Sequence, residues 1–420
     1  MNADKAQILA WIDEERDALL GFFSEFLQAA SPNPPGDTRA AVAVMERWLE
    51  ERGIGYRLVA PQETMPNLVA SFEGALPGRH LVLNGHVDVF PAAPAEPGGR
   101  DPFSGAIEDG RIYGRGAADM KCGTSAAMIT FGLLHRLRDR LKGRLTLTAV
   151  SDEETGGRWG TRHLVETMPE EVLGDCCLNG EPSGIETVRF ADKGTLRLTF
   201  EARTKGGHGA YPHLSPSATK IICALAQELL VLEEIEPELP AAIAEMLARP
   251  EVIAATDKSL GEGAAAIVPR VTVNIGVLQG GLKVNVLPDA CQMQADIRMP
   301  PGMTKERILR EIEPILARYP EVSMSEHVYH SYPSSACDPQ SEMVGIIQDN
   351  VEALQGFRPV PIVSLGGSDA RYWRWKGVEA YLYGPSPRTM GQRDEHVTVE
   401  EFFHIVRTHA LSAYDYLQAS

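Results

Sequence analysis

Short apolar, β-branched runs alternate with helix-patterned segments through the first half of the chain, and this alternation constrains the fold most. Strand-like runs lie at 80–83, 145–149 and 175–178, and helical patterns cover 38–52 and 125–138. Strands that alternate with helices indicate an α/β fold with a mostly parallel sheet covered on both faces. In such sheets the ligand lies beyond the carboxyl ends of the strands. The alternation therefore predicts both the fold class and the sheet edge that would carry a site.

The pattern changes at about Asp192. The predicted elements that follow are strands at 195–203, 270–278, 290–299 and 322–328 and helices at 215–232 and 304–319. Their order is strand, helix, strand, strand, helix, strand, which is a split βαβ arrangement. The acidic, Ala-rich segment 233–263 inside it is expected to be a helical insertion or a lid loop. We therefore predict a catalytic domain, 1–191 and 332–420, that is interrupted by a smaller α+β domain, 192–331.

The composition excludes some classes of partner. A net charge of -17 over 420 residues, without a long basic run, argues against a nucleic-acid or anionic-membrane surface. It also disfavours anionic substrates at long range, so an Arg must meet any substrate carboxylate locally. No apolar run approaches the roughly 18 residues of a membrane span. Without an export signal or a disulfide-like Cys spacing, the sequence predicts a cytoplasmic protein with reduced thiols.

Four polar motifs follow predicted strands, at the points where these strands end. They are His86-Val87-Asp88, GRGAADMK at 114–121, SDEETGG at 151–157 and GEPS at 180–183. One His and several carboxylates that meet at one edge of a sheet make a metal site. Imidazole with carboxylates suits Zn, Mn or Co better than copper(I) or iron–sulfur chemistry, which prefer thiolates. The motifs therefore predict a divalent transition metal at this edge.

Two of the motifs also indicate how the site would work. Asp88 lies two residues from His86, so at a strand end its carboxylate can reach the free imidazole nitrogen and fix the tautomer. Glu153 and Glu154 are adjacent, so one can bind metal while the other remains free as a general base. Hydrolysis needs this division, because the metal lowers the pKa of a water molecule and a carboxylate takes its proton.

These motifs resemble those of the dizinc metallopeptidase family that includes aminoacylase, succinyl-diaminopimelate desuccinylase, acetylornithine deacetylase and carboxypeptidase G. The resemblance covers the chain from about residue 80 to 399. It implies a metal set of His86, Asp119, Glu154 and Glu181. Within that set, Asp119 would bridge two ions and Glu154 would belong to the second ion. Glu153 would be the general base, and Asp88 would orient the imidazole.

The inserted part resembles the lid and dimerisation domain of the same family. The GGHGAYP segment around His208 is similar to the one whose His reaches a partner subunit's active site, which implies a homodimer or higher homo-oligomer. Asn285 in NVLP and Arg298 in DIR match the segments that supply an Asn and an Arg to the substrate carboxylate. Gly367 in GGSDA matches a glycine-rich turn near the substrate. The alternative is that His208 and Arg298 are only surface residues of a lid.

The chain departs from the family at one metal ligand. The family's last His lies six residues before the Val of a terminal Glu-x-Val motif, which here is EHV at 395–397, and that position is Gly391. Its neighbours Met390 and Gln392 replace imidazole poorly on a hard metal. His396 is near, but it does not occupy the ligand position. We therefore expect one firm metal site and a second, doubtful one.

The sequence predicts a divalent-metal-dependent hydrolase of a C–N bond in a small carboxylate-bearing substrate, either an N-acyl amino acid deacylase or a carboxypeptidase-like amidohydrolase. One alternative resembles the nitroanthranilate aminohydrolase branch, in which hydroxyl replaces the amino group of an activated aromatic acid and ammonia leaves. Arg371, Arg388 and Arg393 near the altered metal set would serve that reaction. Another alternative is a non-catalytic binding protein on the same fold. Such a protein should have lost Glu153 or Asp119, and both are present.

Overall fold

The computed structural model describes residues 2–93 and 99–419. Its strands are β1 (Arg57–Val59), β2 (Asn67–Glu73), β3 (Leu76–His86), β4 (Ile107–Glu108), β5 (Arg111–Tyr113), β6 (Lys142–Val150), β7 (Cys176–Asn179), β8 (Thr187–Asp192), β9 (Gly194–Arg203), β10 (Gly207–His208), β11 (Thr272–Gly280), β12 (Val286–Leu287), β13 (Ala290–Met299), β14 (Val322–Glu326), β15 (Ser335–Ala336), β16 (Val360–Ser364), β17 (Glu379–Leu382) and β18 (His396–Thr398). Its α-helices are α1 (Ala3–Glu14), α2 (Arg16–Gln28), α3 (Arg39–Glu50), α4 (Cys122–Arg136), α5 (Thr161–Thr167), α6 (Pro169–Val172), α7 (Ala218–Leu229), α8 (Ala241–Leu247), α9 (Pro250–Leu260), α10 (Ala264–Ile267), α11 (Lys305–Leu316), α12 (Glu342–Gln355), α13 (Ala370–Arg374) and α14 (Val399–Gln418).

A nine-stranded mixed sheet forms the centre of the larger part, in the order β1-β2-β6-β3-β7-β17-β8-β15 with β16 paired to β8. Its central strands β6, β3, β7 and β17 run parallel. Leu81 and Leu83 belong to the core that α4 and α14 cover, whereas Val82 belongs to a second core with α5, α6 and α13. Side chains alternate between the two faces of a strand, so a strand covered on both faces has a continuous run of apolar residues in its sequence. The predicted α/β class is confirmed.

The smaller part is an antiparallel sheet in the order β11-β13-β9-β14. Buried residues alternate with half-buried ones along β13, so one face of this sheet is covered. α7 and α11 cover it and form a separate core with it. The predicted strand–helix–strand–strand–helix–strand order is thus present, with β9, α7, β11, β13, α11 and β14 in sequence.

The segment 233–263, which was predicted to be a helical insertion or a lid loop, contains the helices α8 and α9. Ile243, Met246 and Val252 from these helices belong to the core of the large sheet, not to that of the small one. The insertion therefore packs on the larger part although it interrupts the smaller one. The predicted boundaries at 191 and 331 stay a prediction.

The cysteines and the helices bear on the expected environment of the chain. Cys122, Cys176 and Cys177 are buried free thiols, and burial raises the pKa of each well above the usual value of a thiol. Within the described ranges, no helix combines the length and the apolar character needed to cross a bilayer. The cytoplasmic location stays a prediction.

Candidate active site

The polar motifs converge beyond the carboxyl ends of the parallel strands, at the edge that the sequence pattern predicts. His86 is the last residue of β3, and the turn with Glu153 and Glu154 follows β6. Glu181 follows β7, and Asp119 lies in the loop before α4. The four carboxylates line one cleft of about 880 Å³.

His86, Asp119 and Glu181 form a compact donor cluster. The imidazole Nε2 lies 3.1 Å from Oδ1 of Asp119 and 3.6 Å from Oε1 of Glu181. One ligand atom from each residue lies within 4.8 Å of the other two. Burial opposes the protonation of His86, but the hydrogen bond with Asp119 and the nearby carboxylates raise the pKa of this His well above its usual value. Burial and the charge of Asp119 raise the pKa of Glu181. Imidazole and carboxylates held this close fit a first-row divalent cation.

Glu154 supports a second cation position. Its Oε1 is buried and has no hydrogen-bond partner among the described residues. Burial and the charge of Asp119 raise the pKa of Glu154 to about 11. A buried carboxylate oxygen without a donor is costly, and a cation shared with Asp119 would satisfy it. The chemistry of this oxygen therefore fits the predicted bridging arrangement.

Neither Gly391 nor His396 adds a nitrogen donor to this cluster. Gly391 has no side chain, and Met390 and Arg388 line this side of the cleft. The His396 ring lies 5.0 Å from that of Tyr113, and its Nδ1 donates to the main-chain carbonyl of Asp394 at 2.7 Å. Among the described residues, the His–carboxylate group with metal-site spacing is the one around His86. The doubtful second metal site stays a prediction.

Asp88 contacts the site in two ways. Nδ1 of His86 donates to the main-chain carbonyl of Asp88 at 2.8 Å, which leaves Nε2 free to face the cluster. The carboxylate oxygen Oδ1 of Asp88 lies farther from Nδ1, at 3.6 Å. The carboxylate instead accepts the main-chain N–H groups of Glu153 and Glu154, at 3.2 and 3.1 Å, and the amide of Asn33 at 2.9 Å. Asp88 thus orients the imidazole through its backbone and fixes the Glu153–Glu154 turn through its side chain.

Glu153 stands apart from the His86 cluster. Its Oε1 accepts a hydrogen bond from Nη1 of Arg371 at 3.2 Å, and its side chain is only 13% exposed. Burial raises the pKa of Glu153 to about 7, and the Arg371 charge opposes this shift. Arg371 is itself held between the rings of Tyr332 and Tyr372, each 4.7 Å away. The predicted general base is therefore a positioned carboxylate with one fixed cationic neighbour.

Glu395 of the terminal motif holds the loop that carries Asp119. Its Oε1 accepts the main-chain N–H groups of Gly116, Ala118 and Asp119 at 3.0–3.2 Å. Its Oε2 pairs with Arg115, and both side chains are almost fully buried. Three N–H donors and a guanidinium satisfy one buried carboxylate, so this network fixes the loop.

The predicted substrate-binding residues fall into two groups. Arg298 and Gly367 line the same cleft as the carboxylates. A Cβ at Gly367 would lie 2.3 Å from the hydroxyl of Tyr332, so the turn needs glycine there. His208 and Asn285 are exposed and are not part of the cleft wall. The main-chain N–H of Gly209, next to His208, donates to the carbonyl of Asn285 at 2.8 Å, so these two residues lie side by side.

Three residues of the site escape the sequence analysis. Asn33 donates to Asp88 from a Pro-rich N-terminal segment. Asp152 has a φ of +78°, a left-handed conformation that Asp tolerates better than most residues, and it opens the turn that presents Glu153. Arg189 on β8 lines the cleft. Asn33 and Arg189 lie outside the four motifs, and Asp152 lies within SDEETGG but has no role that the motif itself indicates.

A largely parallel α/β sheet with an imidazole–carboxylate cluster and a separate buried glutamate at its carboxyl edge defines a metal-dependent hydrolase. The model of peptidase family M20/M25/M40 matches residues 82–415. A succinyl-diaminopimelate desuccinylase from Cereibacter sphaeroides is 30% identical over 380 residues, which cover 88% of this chain and 92% of that protein.

Solved structures share the fold. An M20 family metallo-carboxypeptidase from Sulfolobus solfataricus superposes with a TM-score of 0.81 at 18% identity and covers 96% of this chain and 99% of its own. Human carnosine dipeptidase 1 gives a TM-score of 0.75 at 16% identity, with full coverage of both chains. The chain belongs to peptidase family M20/M25/M40, and it is a metal-dependent hydrolase acting on C–N bonds. The predicted family and enzyme class are confirmed, and the non-catalytic alternative is wrong.

Proposed function

We propose that this enzyme removes the acyl group from a small N-acyl amino acid, or cleaves a short peptide-like amide, beside a divalent metal in the cleft. One observation carries the proposal: Asp119 and Glu181 of the His86 cluster line the same cleft as Glu153 and Arg298, a cation suited to a substrate carboxylate. The desuccinylase relative supports a deacylase. Nothing in the cleft specifically favours replacement of a ring amino group.

The residues of the cleft would have separate roles in amide hydrolysis. A divalent ion held by His86, Asp119 and Glu181 would supply Lewis acidity and lower the pKa of water. Glu153 takes a proton from the attacking water through its carboxylate and returns it to the amide nitrogen as the C–N bond breaks. Arg371 keeps the Glu153 carboxylate in one orientation through the 3.2 Å contact. A positioned base of this kind contributes rate because no reorientation is needed during the reaction.

The smaller sheet would complete the site from a second subunit. His208 and Asn285 are neighbours, exposed and outside the cleft wall of their own chain. Apolar side chains that flank Asn285 in the chain are also exposed, among them Leu282, Val284 and Val286, and Val286 pairs with His208 between β12 and β10. Exposed apolar side chains that lie together are typical of protein–protein contacts. We therefore assign 192–331 the role of a lid and dimerisation domain that brings His208 to the partner's cleft.

A product assay tests the reaction type. The metal-loaded protein is incubated with N-acyl amino acids, dipeptides and aminobenzoates, and acid release is measured beside ammonia release. We expect free amino acid and carboxylic acid from the amide substrates, without ammonia from the aminobenzoates. Ammonia release with no amide turnover would replace the deacylase by the aminohydrolase alternative.

Substitution of the base tests the mechanism. Glu153→Gln should lower kcat by about 10²- to 10⁴-fold, because an amide cannot take the proton. The variant should fold and bind metal normally, since the glutamine oxygen still accepts from Arg371. Glu170→Gln, which changes an exposed carboxylate outside the cleft, is the matched control and should retain full activity. Wild-type turnover by Glu153→Gln would remove Glu153 from the mechanism.

A further inference from the structure

Arg189 is a buried cation in the wall of the catalytic cleft. It lies on β8 of the large sheet, opposite Ile362 of β16 and Leu382 of β17. Only 9% of the residue is exposed. It nevertheless lines the cleft that Glu181 also lines. The large sheet therefore contributes a guanidinium to the site, in addition to the one that Arg298 supplies from the small sheet.

Two of the three guanidinium nitrogens of Arg189 make no hydrogen bond to the described residues. Nη1 donates to the hydroxyl of Ser364 at 3.1 Å. Nε and Nη2 are buried and have no hydrogen-bond partner among the described residues. Buried charged donors that stay unpaired cost free energy, so such a group needs an explanation. Nε and Nη2 form one side of the guanidinium fork, the side that binds a carboxylate through two parallel hydrogen bonds.

Other cations of the cleft differ from Arg189 in this respect. Arg298 contacts Asp296 at 2.9 Å, Arg371 donates to Glu153, and Lys258 contacts Glu186 at 2.5 Å. Among the described residues, Arg189 is the one guanidinium with two buried donor atoms left without a hydrogen bond.

The nearest structural explanation would be an ion pair within the sheet. Asp192 lies three residues along β8, but its Oδ2 accepts from Ser368 at 2.8 Å and pairs with Arg374 at 2.9 Å, and its buried Oδ1 makes no hydrogen bond to Arg189 or to any other described residue. Burial lowers the pKa of Arg189, while the charges of Asp192, Glu181 and Asp119 oppose that shift, so the guanidinium lies within electrostatic reach of the metal-binding carboxylates. Arg189 is thus close to the reacting centre without a hydrogen-bonded carboxylate of its own.

We propose that Arg189 binds a second carboxylate of the substrate and makes the enzyme selective for substrates that carry two. This inference rests on the proposed amide hydrolysis and adds a specificity residue to it. Arg298 and Arg189 stand on different sheets of the cleft, so two carboxylates at separate positions of one substrate can each meet a guanidinium. Because the protein carries a net charge of -17, long-range attraction does not select anions, and local guanidinium contacts must do so.

Two matched substrate pairs test the proposal and locate the second carboxylate. N-succinyl-alanine is compared with N-succinamoyl-alanine, which replaces the distal acyl carboxylate by an amide of the same size. N-acetyl-glutamate is compared with N-acetyl-glutamine, which makes the same change on the amine side. We expect kcat/KM to be about 10- to 100-fold higher for the dicarboxylate in one pair, the range for hydrogen bonds to a charged group.

Variants then assign that preference to Arg189. Arg189→Met should reduce the ratio within the preferred pair to about 1 while changing turnover of the neutral member little. Arg189→Lys keeps the charge without the fork and should restore part of the ratio. Lys258→Met removes a charge from the same cleft and serves as the control, with an unchanged ratio. An equal loss on both members of each pair, or a wild-type enzyme without preference in either, would overturn the proposal.

A binding measurement separates this inference from the proposed reaction. Calorimetry compares succinate with succinamate, and glutamate with glutamine, on the metal-loaded wild type and on Arg189→Met. Tighter binding of the dicarboxylate in one pair that disappears in Arg189→Met supports the carboxylate subsite even if the protein hydrolyses none of the amides, in which case only the proposed reaction fails. Equal binding within both pairs by the wild type would contradict the subsite whatever the turnover.

Discussion

The change of Gly391 to His tests the second metal site that the sequence predicts to be doubtful. Without an imidazole at position 391, the second ion would be held by Asp119, Glu154 and water. Wild-type protein purified without added metal is therefore expected to carry one ion or fewer per chain. Its activity should rise when Mn, Co or Zn is supplied. Gly391→His should raise the occupancy toward two ions.

The backbone conformation of Gly391 determines how much the substitution to His destabilises the fold. Gly391 has a φ of +72°, and a Cβ there would meet no atom within 4 Å. A side chain at this position therefore suffers from the left-handed backbone rather than from a clash, at about 1–2 kcal/mol of folding free energy. The main-chain contacts of Gly391 with Arg115 and Glu395, at 3.1 and 3.2 Å, do not depend on a side chain and should persist.

When metal is present, the free energy gained from tighter metal binding should exceed the cost of the left-handed backbone. Even the loss of a group outside the ligand shell lowers metal affinity about 10- to 100-fold, so a direct imidazole ligand should contribute at least as much. That range corresponds to about 1.4–2.8 kcal/mol. We therefore expect Gly391→His to be less stable than wild type without metal and at least as stable with it.

The assay is metal content per chain after dialysis against a mild chelator, together with thermal unfolding with and without metal. Gly391→Ala is the matched control, because it bears the same backbone cost without a ligand. Its stability should fall and its metal content should stay at the wild-type value. Two tightly held ions in wild type, or equal occupancy in the His and Ala variants, would refute the reasoning.

Two further predictions concern the subunit contact and the Asp119 loop. Mixing His208→Ala subunits with Glu153→Gln subunits should restore part of the activity, since each heterodimer then has one intact site; full activity of a dilute monomer would exclude a role for His208 in the partner's cleft. Glu395→Gln should lower the free energy of unfolding by about 3–5 kcal/mol, because it leaves Arg115 buried without its counter-ion. Chemical denaturation measures this loss, and Glu400→Gln, whose side chain is 83% exposed in its ion pair, should cost less than about 1 kcal/mol. Equal losses in the two variants would contradict the role given to Glu395.

The sequence predicts the sheet and the metal-site edge because both depend on local order. A strand covered on both faces must be apolar along its length, and its polar residues must follow its carboxyl end. His86 at the end of β3 and Glu153 and Glu181 after β6 and β7 all obey that rule, so their meeting at one sheet edge can be expected from their places in the sequence. The alternating pattern of β13 likewise identifies a sheet with one covered face.

The contacts of Asp88 and Arg189 cannot be predicted from the strand patterns of the sequence. The spacing of His86 and Asp88 suggests a carboxylate–imidazole contact, but the shorter contact comes from the main-chain carbonyl, at 2.8 Å. The carboxylate is used elsewhere, because the Glu153–Glu154 turn offers it two N–H donors. Arg189 is one of two charged residues in the short strand β8, and only the fold brings it to the cleft that Glu181 also lines. Which hydrogen-bond donor pairs with a given carboxylate depends on three-dimensional packing, and a sequence motif does not contain that information.

The terminal motif explains how Asp119 can keep its place whatever residue stands at position 391. In this chain the carboxylate of Glu395 satisfies three main-chain N–H groups of the Asp119 loop and pairs with Arg115. These hydrogen bonds hold the loop in place, and none of them involves a side chain at position 391. The loop geometry and the residue at 391 are therefore separable: a ligand introduced at 391 would act on a cation near Asp119 and Glu154, while Asp119 would keep its place beside His86. We therefore expect that a single substitution can change the number of ions bound, because the hydrogen-bond network that places Asp119 uses the main-chain N–H groups of its loop and none of the side chains predicted to bind metal.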